Sequence, residues 1–234
     1  QKTPSTTVNK VCASGMKAIM MAADQIRLGD ADVVVAGGME SMSNVPYYLP
    51  KQRYGSKYGH VQTEDGILKD GLWDVYNDFA MGNAAEICAK ECSISREEQD
   101  EFAFSSQRKA IEAIKAQKFV NEIIPLKIKV KKKEITFDKD EYPREESTVE
   151  KLAKLRPAFK KDGTVTAGNA SGVNDGAAAV CLMTGEMVKK KDIEPLAKIV
   201  SWAQCGVDPS IMGTGPIPAS RLALKKAGWN KNEL

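Results

Sequence analysis

The sequence contains a single histidine, His60, and this scarcity limits the metal and catalytic sites that the chain can form. Histidine is the commonest metal ligand and the commonest general base. Cys88 and Cys92 are four residues apart, one turn of a helix, and no other ligand-rich cluster accompanies them. We therefore predict no metal site. A cysteine nucleophile would also have no evident histidine base in this chain.

Long apolar runs and a strong charge excess are also lacking. No stretch approaches the roughly 18 apolar residues of a membrane span. The net charge of +3 is too small to indicate a nucleic-acid partner. With 42% hydrophobic and 28% charged residues, the composition is typical of soluble globular proteins. The five cysteines have no framework spacing and their number is odd, which favours free thiols in a reducing compartment.

The chain lacks both common glycine-rich phosphate motifs, the Walker loop and GxGxxG, and it has no internal repeat. It begins with Gln and has neither an initiator Met nor a targeting segment, and its last residues read as the start of another helix. These ends indicate an internal portion of a longer polypeptide. The triple lysine at residues 131–133 is interpreted as the solvated tip of a hairpin, with a ligand contact as the alternative.

The most informative stretch is residues 8–18, which contain Cys12. The β-branched residues 5–8 predict a strand end, and residues 16–28 predict a helix with Gly29 as its C-cap. Cys12 would then lie where a strand leads into a helix, and the partly positive helix N-terminus would favour the thiolate. The small residues Ala-Ser-Gly after it leave room for a substrate. The two interpretations are a nucleophile and a small buried hydrophobe.

The rest of the chain predicts an α/β fold. Residues 33–36 form a short apolar run typical of a strand buried on both faces, so strand, helix and strand over residues 5–36 predict a βαβ unit with a parallel sheet. Residues 44–71, rich in Pro, Gly and Tyr, predict a long functional loop. Further helices are predicted at residues 81–90, 95–117, 147–155, 186–191 and 216–226, the second and third opened by capping boxes. Further strands are predicted at residues 123–130, 134–137, 177–183 and 196–204.

A glycine- and asparagine-rich loop spans residues 164–176. Its composition lets a ligand approach the backbone closely, and a plain turn between strands is the alternative interpretation. Spacing alone does not choose between the two.

Several irregular motifs, in order, resemble the thiolase family, and within it the acetyl-CoA acetyltransferases. They include Cys-Ala-Ser-Gly at residues 12–15 with Asn9, and Asp-Val-Val-Val-Ala-Gly-Gly-Met-Glu-Ser-Met-Ser at residues 32–43. Further matches lie at residues 69–74, 81–86, 154–159, 162–179, 199–206 and 213–219. The resemblance therefore runs through essentially the whole chain.

The resemblance implies the thiolase fold, a layered αβαβα arrangement of two related halves with an inserted α+β loop domain, of which this chain is an incomplete portion. Residues 1–43 would begin the N-terminal half, residues 44–173 would form the inserted domain and residues 174–194 would complete that half. Residues 195–234 would begin the C-terminal half.

The resemblance also implies the chemistry. Cys12 matches the nucleophile that takes an acyl group from a thioester, and Leu72 and Met81 match residues that line the pantetheine and acyl pocket. Arg144 matches a residue near the adenine end of CoA. The loop residues Ala167, Gly168 and Ser171 match the segment that packs on the pantetheine arm. Coenzyme A thioesters are then substrates, and no separate cofactor is expected.

The chain departs from the family pattern in two ways. Ala80 stands where the family usually has a histidine, which would alter acyl preference or CoA affinity. The family's Asn-Glu-Ala-Phe segment, its activating histidine and its second catalytic cysteine match nothing up to Leu234. We expect that a chain ending there would not turn over.

The function implied is reversible Claisen condensation of two acetyl-CoA molecules to acetoacetyl-CoA and CoA. The alternatives are a degradative 3-ketoacyl-CoA thiolase of broader chain length and a non-catalytic CoA-binding protein. Family likeness suggests a homotetramer that associates through residues 44–66. The motif at residues 201–204 is most similar to cytosolic and bacterial members, which favours the cytoplasm over the mitochondrion. Neither a nucleic-acid nor a membrane partner is expected.

Overall fold

The computed structural model describes residues 2–234, and these residues divide into two compact units. The first unit runs up to Met81 and resumes at Val173–Leu234, and the second unit is Gly82–Gly172. The thiolase-domain boundaries implied by the resemblance stay a prediction, because compactness alone does not identify the halves of a fold.

Helices and short strands alternate along the chain. The helices are α1 (Ser14–Leu28), α2 (Met81–Glu91), α3 (Arg96–Lys115), α4 (Val149–Ala153), α5 (Gly185–Lys191) and α6 (Pro216–Ala227). The strands are β1 (Val33–Ser41), β2 (Tyr47–Tyr48), β3 (Glu64–Asp65), β4 (Trp73–Asp74), β5 (Phe79–Ala80), β6 (Leu126–Val130), β7 (Lys133–Phe137) and β8 (Asp175–Met183). None of the helices in residues 2–234 combines the length and the apolar character needed to cross a bilayer.

The first unit is built on the pairing of β1 with β8. The two strands are antiparallel and in register from Val33 opposite Met183 to Ser41 opposite Asp175. Helix α1 covers one face of this pair, and the small core consists of Ala22, Ala23, Ala36 and Leu182. The predicted parallel sheet is therefore wrong for the strand after α1, since its hydrogen-bonding partner comes from a distant and oppositely directed segment.

Three further predictions about strands are also wrong. Only one face of β1 is covered, by α1, so Val35 remains 71% exposed and the strand is not buried on both faces. Residues 5–8 and 196–204 form no strand, because no neighbouring segment among residues 2–234 supplies the ladder of hydrogen bonds that a strand needs. The second segment has no regular secondary structure, and its Trp202 packs against the core, with Arg27 Cζ 4.3 Å from the centroid of its ring.

Helix α1 approaches β1 closely because both elements carry glycine at the crossing. A Cβ on Gly38 would lie 3.0 Å from the Cα of Gly15 in the first turn of α1. Glycine therefore allows the start of α1 to lie on the strand backbone. The predicted end of α1 is confirmed, since Gly29 caps the helix in the left-handed conformation at φ 79°.

The second unit contains α3, α4 and the β6–β7 hairpin. The predicted capping box of α3 is confirmed, with the Ser95 hydroxyl accepting from the Glu98 N–H and the Glu98 carboxylate accepting from the Ser95 N–H. The second predicted capping box is wrong. Thr148 is the N-cap of α4, and its hydroxyl accepts from the N–H of Lys151. Because a lysine has no acceptor oxygen, it cannot complete the reciprocal bond.

We predict that Gly37→Ala destabilises the β1–β8 pair. The new Cβ would lie 2.2 Å from the carbonyl oxygen of Ala178 and 2.9 Å from the Cα of Ala179, so the strands must move apart. Overpacking of this kind costs about 1–3 kcal/mol, which lowers the Tm by several degrees. The control is Gly176→Ala in β8, where a Cβ would meet nothing within 4 Å. Equal melting temperatures of the two variants in thermal unfolding would contradict this account.

Candidate active site

Cys12 lies in a turn immediately before α1, and its side chain is exposed. Ser14 is the first helical residue and Ala13 is the N-cap, so Cys12 directly precedes the N-cap of α1. The N-cap makes no side-chain hydrogen bond. The prediction that Cys12 comes directly before a helix is confirmed. The alternative interpretation of Cys12 as a small buried residue is wrong for the described residues 2–234, because Cys12 is exposed there.

The turn that carries Cys12 is fixed by polar contacts. Val11 adopts a left-handed conformation at φ 48°, which costs energy for a β-branched residue. The Asn9 side chain accepts from the Val11 N–H at 2.9 Å. The Ser14 hydroxyl donates to the Val11 carbonyl at 2.6 Å and accepts from the Lys10 N–H at 2.7 Å. These bonds hold the strained backbone beside Cys12 in one conformation.

Leu72 and Met81 flank a short strand pair. Trp73 in β4 pairs with Ala80 in β5, and Leu72 directly precedes β4 while Met81 directly follows β5. Met81 also begins α2. Ala80, where the resemblance leads one to expect histidine, therefore stands within this pair, and the side chains of Leu72 and Met81 are half-buried.

A cavity of about 570 Å³ lies within the second unit. Three of the predicted site residues, Arg144, Ala167 and Gly168, line it together, although 23 positions separate Arg144 from Ala167 in sequence. Tyr142 and Lys151 are also among its lining residues. This volume is in the range of small-molecule sites. Ser171 is exposed and belongs to the same loop but does not line the cavity.

The two walls of the cavity touch at Gly168. A Cβ at this position would lie 2.5 Å from Leu152 Cδ2 and 2.5 Å from Leu155 Cδ1, both of which line the cavity. Glycine is therefore required for this close approach. The loop predicted to let a ligand near its backbone uses its glycine here to pack against the end of α4.

A carboxylate on α2 anchors the start of the glycine-rich loop. Glu86 accepts from the N–H groups of Thr164 and Val165, both at 2.8 Å, and from the Thr164 hydroxyl at 3.0 Å. Partial burial raises the pKa of Glu86. The hydrogen bonds from Val165 and Thr164, and the nearby charge of Lys160, outweigh burial and hold that pKa below its usual value.

Sequence reasoning missed a second group of polar residues beneath the same loop. Asp100 is 1% exposed, and its carboxylate accepts from Arg96 and from Asn169. The i, i+4 spacing of Arg96 and Asp100 on a predicted helix was the available signal. Most such pairs lie on a solvated face, so spacing alone does not reveal a buried one. No three His, Cys, Asp or Glu side chains among residues 2–234 are arranged to hold a metal ion.

Comparison with known proteins gives family matches over almost the entire chain. Residues 1–186 match the family described as "Thiolase, N-terminal domain", and residues 193–234 match "Thiolase, C-terminal domain". Among similar curated proteins, acetyl-CoA acetyltransferases of Pseudomonas aeruginosa and Paracoccus denitrificans are 53% and 54% identical over 232 and 230 residues. These alignments cover 99% and 97% of this chain, but the chain spans only 59% and 58% of those relatives.

Solved structures give the same architecture. The crystal structure of Bacillus anthracis acetyl-CoA acetyltransferase is similar with a TM-score of 0.90 and 48% identity, covering 97% of this chain and 57% of that one. Human mitochondrial 3-ketoacyl-CoA thiolase is similar with a TM-score of 0.92 and 45% identity, covering 98% and 58%. The fold expected from the motifs is therefore confirmed.

We predict that Glu86→Gln lowers stability at pH 7 by about 1–2 kcal/mol, because the amide replaces a charged acceptor of three hydrogen bonds. The native pKa lies below the usual 4.5, so the carboxylate stabilises the fold fully above that value and loses its effect as the pH falls through the native pKa. Chemical denaturation across pH is expected to show the difference between parent and variant shrinking in acid.

The matched control is Glu101→Gln, which alters an exposed carboxylate on α3. We expect little change in stability from this variant at any pH. A stability loss in Glu86→Gln that stays constant from neutral to acid pH would contradict the role of its charge.

Proposed function

The chain belongs to the thiolase family, and from this premise we propose that its protein is an acetyl-CoA C-acetyltransferase. The reaction is the reversible condensation of two acetyl-CoA molecules to acetoacetyl-CoA and CoA. The observation that carries the proposal is Cys12, exposed in a fixed turn at the start of α1. The two similar curated proteins named above as acetyl-CoA acetyltransferases support the choice of reaction.

In the proposed mechanism the Cys12 thiolate attacks the carbonyl carbon of acetyl-CoA. The bond from that carbon to the CoA sulfur breaks, CoA leaves as a thiolate that takes up a proton, and Cys12 becomes acetylated. A base then removes an α-proton from a second acetyl-CoA, and hydrogen-bond donors stabilise the enolate oxygen. The carbanion attacks the acetyl-cysteine, the carbon–sulfur bond to Cys12 breaks, and the thiolate returns.

The helix start beside Cys12 has a clear task in this scheme. It places the exposed thiol of Cys12 directly before the N-cap of α1. The bonds from Asn9 and Ser14 keep this turn in place before and after acylation. Because the turn is already fixed, the attacking sulfur needs no backbone rearrangement during reaction.

The CoA-binding residues are assigned by the same proposal. Arg144 contacts the adenine end, and the loop residues Ala167, Gly168 and Ser171 pack on the pantetheine arm. Leu72 and Met81 line the acyl and pantetheine pocket. The shared cavity of Arg144, Ala167 and Gly168 supports the first part of this assignment. The assignment of Leu72 and Met81 rests on the family resemblance.

A degradative 3-ketoacyl-CoA thiolase of broader chain length is the alternative that specific observations favour. Ala80, which precedes Met81 and pairs with Trp73, leaves more space there than a histidine would. The similarity to the human mitochondrial 3-ketoacyl-CoA thiolase is also high. A CoA-binding protein without catalysis is the remaining candidate, and the exposed Cys12 argues against it.

We also propose a homotetramer in the cytoplasm, with a mitochondrial location as the alternative. The tetramer is proposed from the resemblance of residues 44–66 to the family's association region. Tyr54 and Tyr58 in this segment are 91% and 104% exposed, which fits an aromatic contact surface. Bacterial relatives support the cytoplasm.

Mass spectrometry of the denatured full-length protein tests the nucleophile. We expect incubation with acetyl-CoA to add one acetyl group, which Cys12→Ala abolishes and Cys92→Ala retains, since Cys92 is an exposed thiol away from the helix start. Binding of CoA without any adduct would support the non-catalytic candidate. An adduct that survives Cys12→Ala would overturn the assignment of the nucleophile.

Substrate length separates the two enzymatic candidates. We expect thiolysis of acetoacetyl-CoA with kcat/KM at least about tenfold above that for a 3-ketoacyl-CoA with four more methylenes, because a short pocket excludes the longer chain. Equal or greater efficiency with the longer substrate would favour the broad-range thiolase. Comparison with Ala80→His measures how much of the preference this position controls.

A further inference from the structure

A buried ion pair lies at the first turn of α3, beneath the cavity. The Arg96 Nε donates to Asp100 Oδ2 at 2.7 Å, and the side chains are 20% and 2% exposed. Burying a carboxylate is costly unless it is paired and hydrogen-bonded. Asp100 meets this requirement with a second bond, since its Oδ1 accepts from Asn169 Nδ2 at 3.0 Å. The pair is therefore complete, and each member has further partners.

Arg96 holds one wall of the cavity. Its Nη2 donates to the carbonyl oxygens of Leu152 at 2.8 Å and Leu155 at 3.0 Å, where α4 ends. Carbonyls at a helix end have no partner within the helix. The guanidinium supplies partners for two of them, which fixes the segment that carries both leucine side chains into the cavity.

Asp100 holds the opposite wall through Asn169. The Asn169 Oδ1 accepts from the Thr166 N–H at 2.7 Å, and its Nδ2 donates to the Thr164 carbonyl at 3.0 Å as well as to Asp100. Thr166 is fully buried. Asn169 thus fixes the loop conformation through two hydrogen bonds within the loop, and its bond to Asp100 connects the loop to α3. The adjacent residues Ala167 and Gly168 face the cavity.

From these contacts we infer that the Arg96–Asp100 pair is a positioning device that sets the spacing between the two walls of the CoA cavity. Arg96 donates hydrogen bonds to the end of α4, and Asp100 accepts one from the loop. The ion pair between them, across one turn of α3, therefore connects the two walls. The tight packing of Gly168 on Leu152 and Leu155 leaves the walls little freedom to close independently. The inference rests on the proposed function, and it assigns to this pair the affinity for the CoA arm rather than the acyl transfer.

The first test is Asp100→Asn in the full-length protein. An asparagine offers one acceptor oxygen for two donors, and its own NH₂ faces a donor from either Arg96 or Asn169. We expect the KM for CoA in thiolysis and the Kd for CoA in calorimetry to rise on the order of tenfold, as for other outer partners of a site. We expect kcat at saturating substrate and the extent of Cys12 acetylation to stay within about twofold of the parent.

The matched control is Glu134→Gln. Glu134 pairs with Lys127 on the β6–β7 hairpin at 3.8 Å, and both side chains are more than half exposed. This variant makes the same carboxylate-to-amide change in an ion pair that lines no part of the cavity. Its KM and Kd are expected to equal those of the parent.

Arg96→Lys is a second, milder variant for the case in which Asp100→Asn does not fold. Lysine keeps a charge for Asp100, but its single ammonium cannot replace the planar fork that reaches Asp100 and both carbonyls. A rise in KM and Kd with unchanged kcat would support the positioning role. A fall in kcat with unchanged KM, or a loss of thermal stability with unchanged CoA affinity, would overturn it.

The same experiment separates this inference from the proposed function. A parent protein that binds no CoA would overturn both. A parent that binds CoA and becomes acetylated at Cys12, together with folded variants of equal CoA affinity, would overturn the inference alone.

Discussion

Two carboxylates, one buried and one partly buried, determine the conformation of the glycine-rich loop in the second unit. Asp100 and Glu86 lie on different helices, and both accept hydrogen bonds from the same loop. Asp100 accepts from the Asn169 side chain. Glu86 accepts from the backbone N–H groups of Thr164 and Val165. Since an unpaired buried charge is far more costly than an ordinary polar contact, these bonds leave the loop few alternative conformations. The cavity is a consequence, because its wall at Gly168 is the outer side of the loop so fixed.

The first unit depends on a different constraint, the close approach of backbones. Small residues line the crossing of α1 with the β1–β8 pair, and at Gly15 and Gly38 no side chain separates helix from strand. This packing places the start of α1 on the strand. The turn before it carries the strained Val11 and the exposed Cys12. Hydrogen bonds made by Asn9 and Ser14 offset the backbone strain at Val11 and keep the turn in one conformation. A nucleophile requires such a preorganised position.

Local signals predicted the helices well and the strands less well. Capping residues and glycine stops act within a few positions, so the start of α3 at Ser95 and the ends of α1 and α6 at Gly29 and Gly228 could be read directly. A strand needs a hydrogen-bonding partner strand, and the local sequence does not indicate which segment supplies it. The run at residues 33–36 was recognised as a strand, yet its antiparallel partner, residues 180–183, lies 144–150 residues later in the chain. Residues 196–204 have strand-like composition but no partner among the described residues.

The sequence by itself determined most of the helix ends, the family and the identity of the candidate nucleophile, since these rest on short-range rules and on motifs of fixed order. The placement of the CoA-binding residues remains a prediction, although Arg144, Ala167 and Gly168 share one cavity. Only the tertiary structure decided which carboxylates are buried and what they hold. Arg96 and Asp100 look like any exposed pair on a helix, and Asn169 looks like any loop residue. Their roles depend on the packing of three segments that are distant in sequence. Burial makes a hydrogen bond stronger and its loss more costly, and burial follows from this packing and not from spacing along the chain.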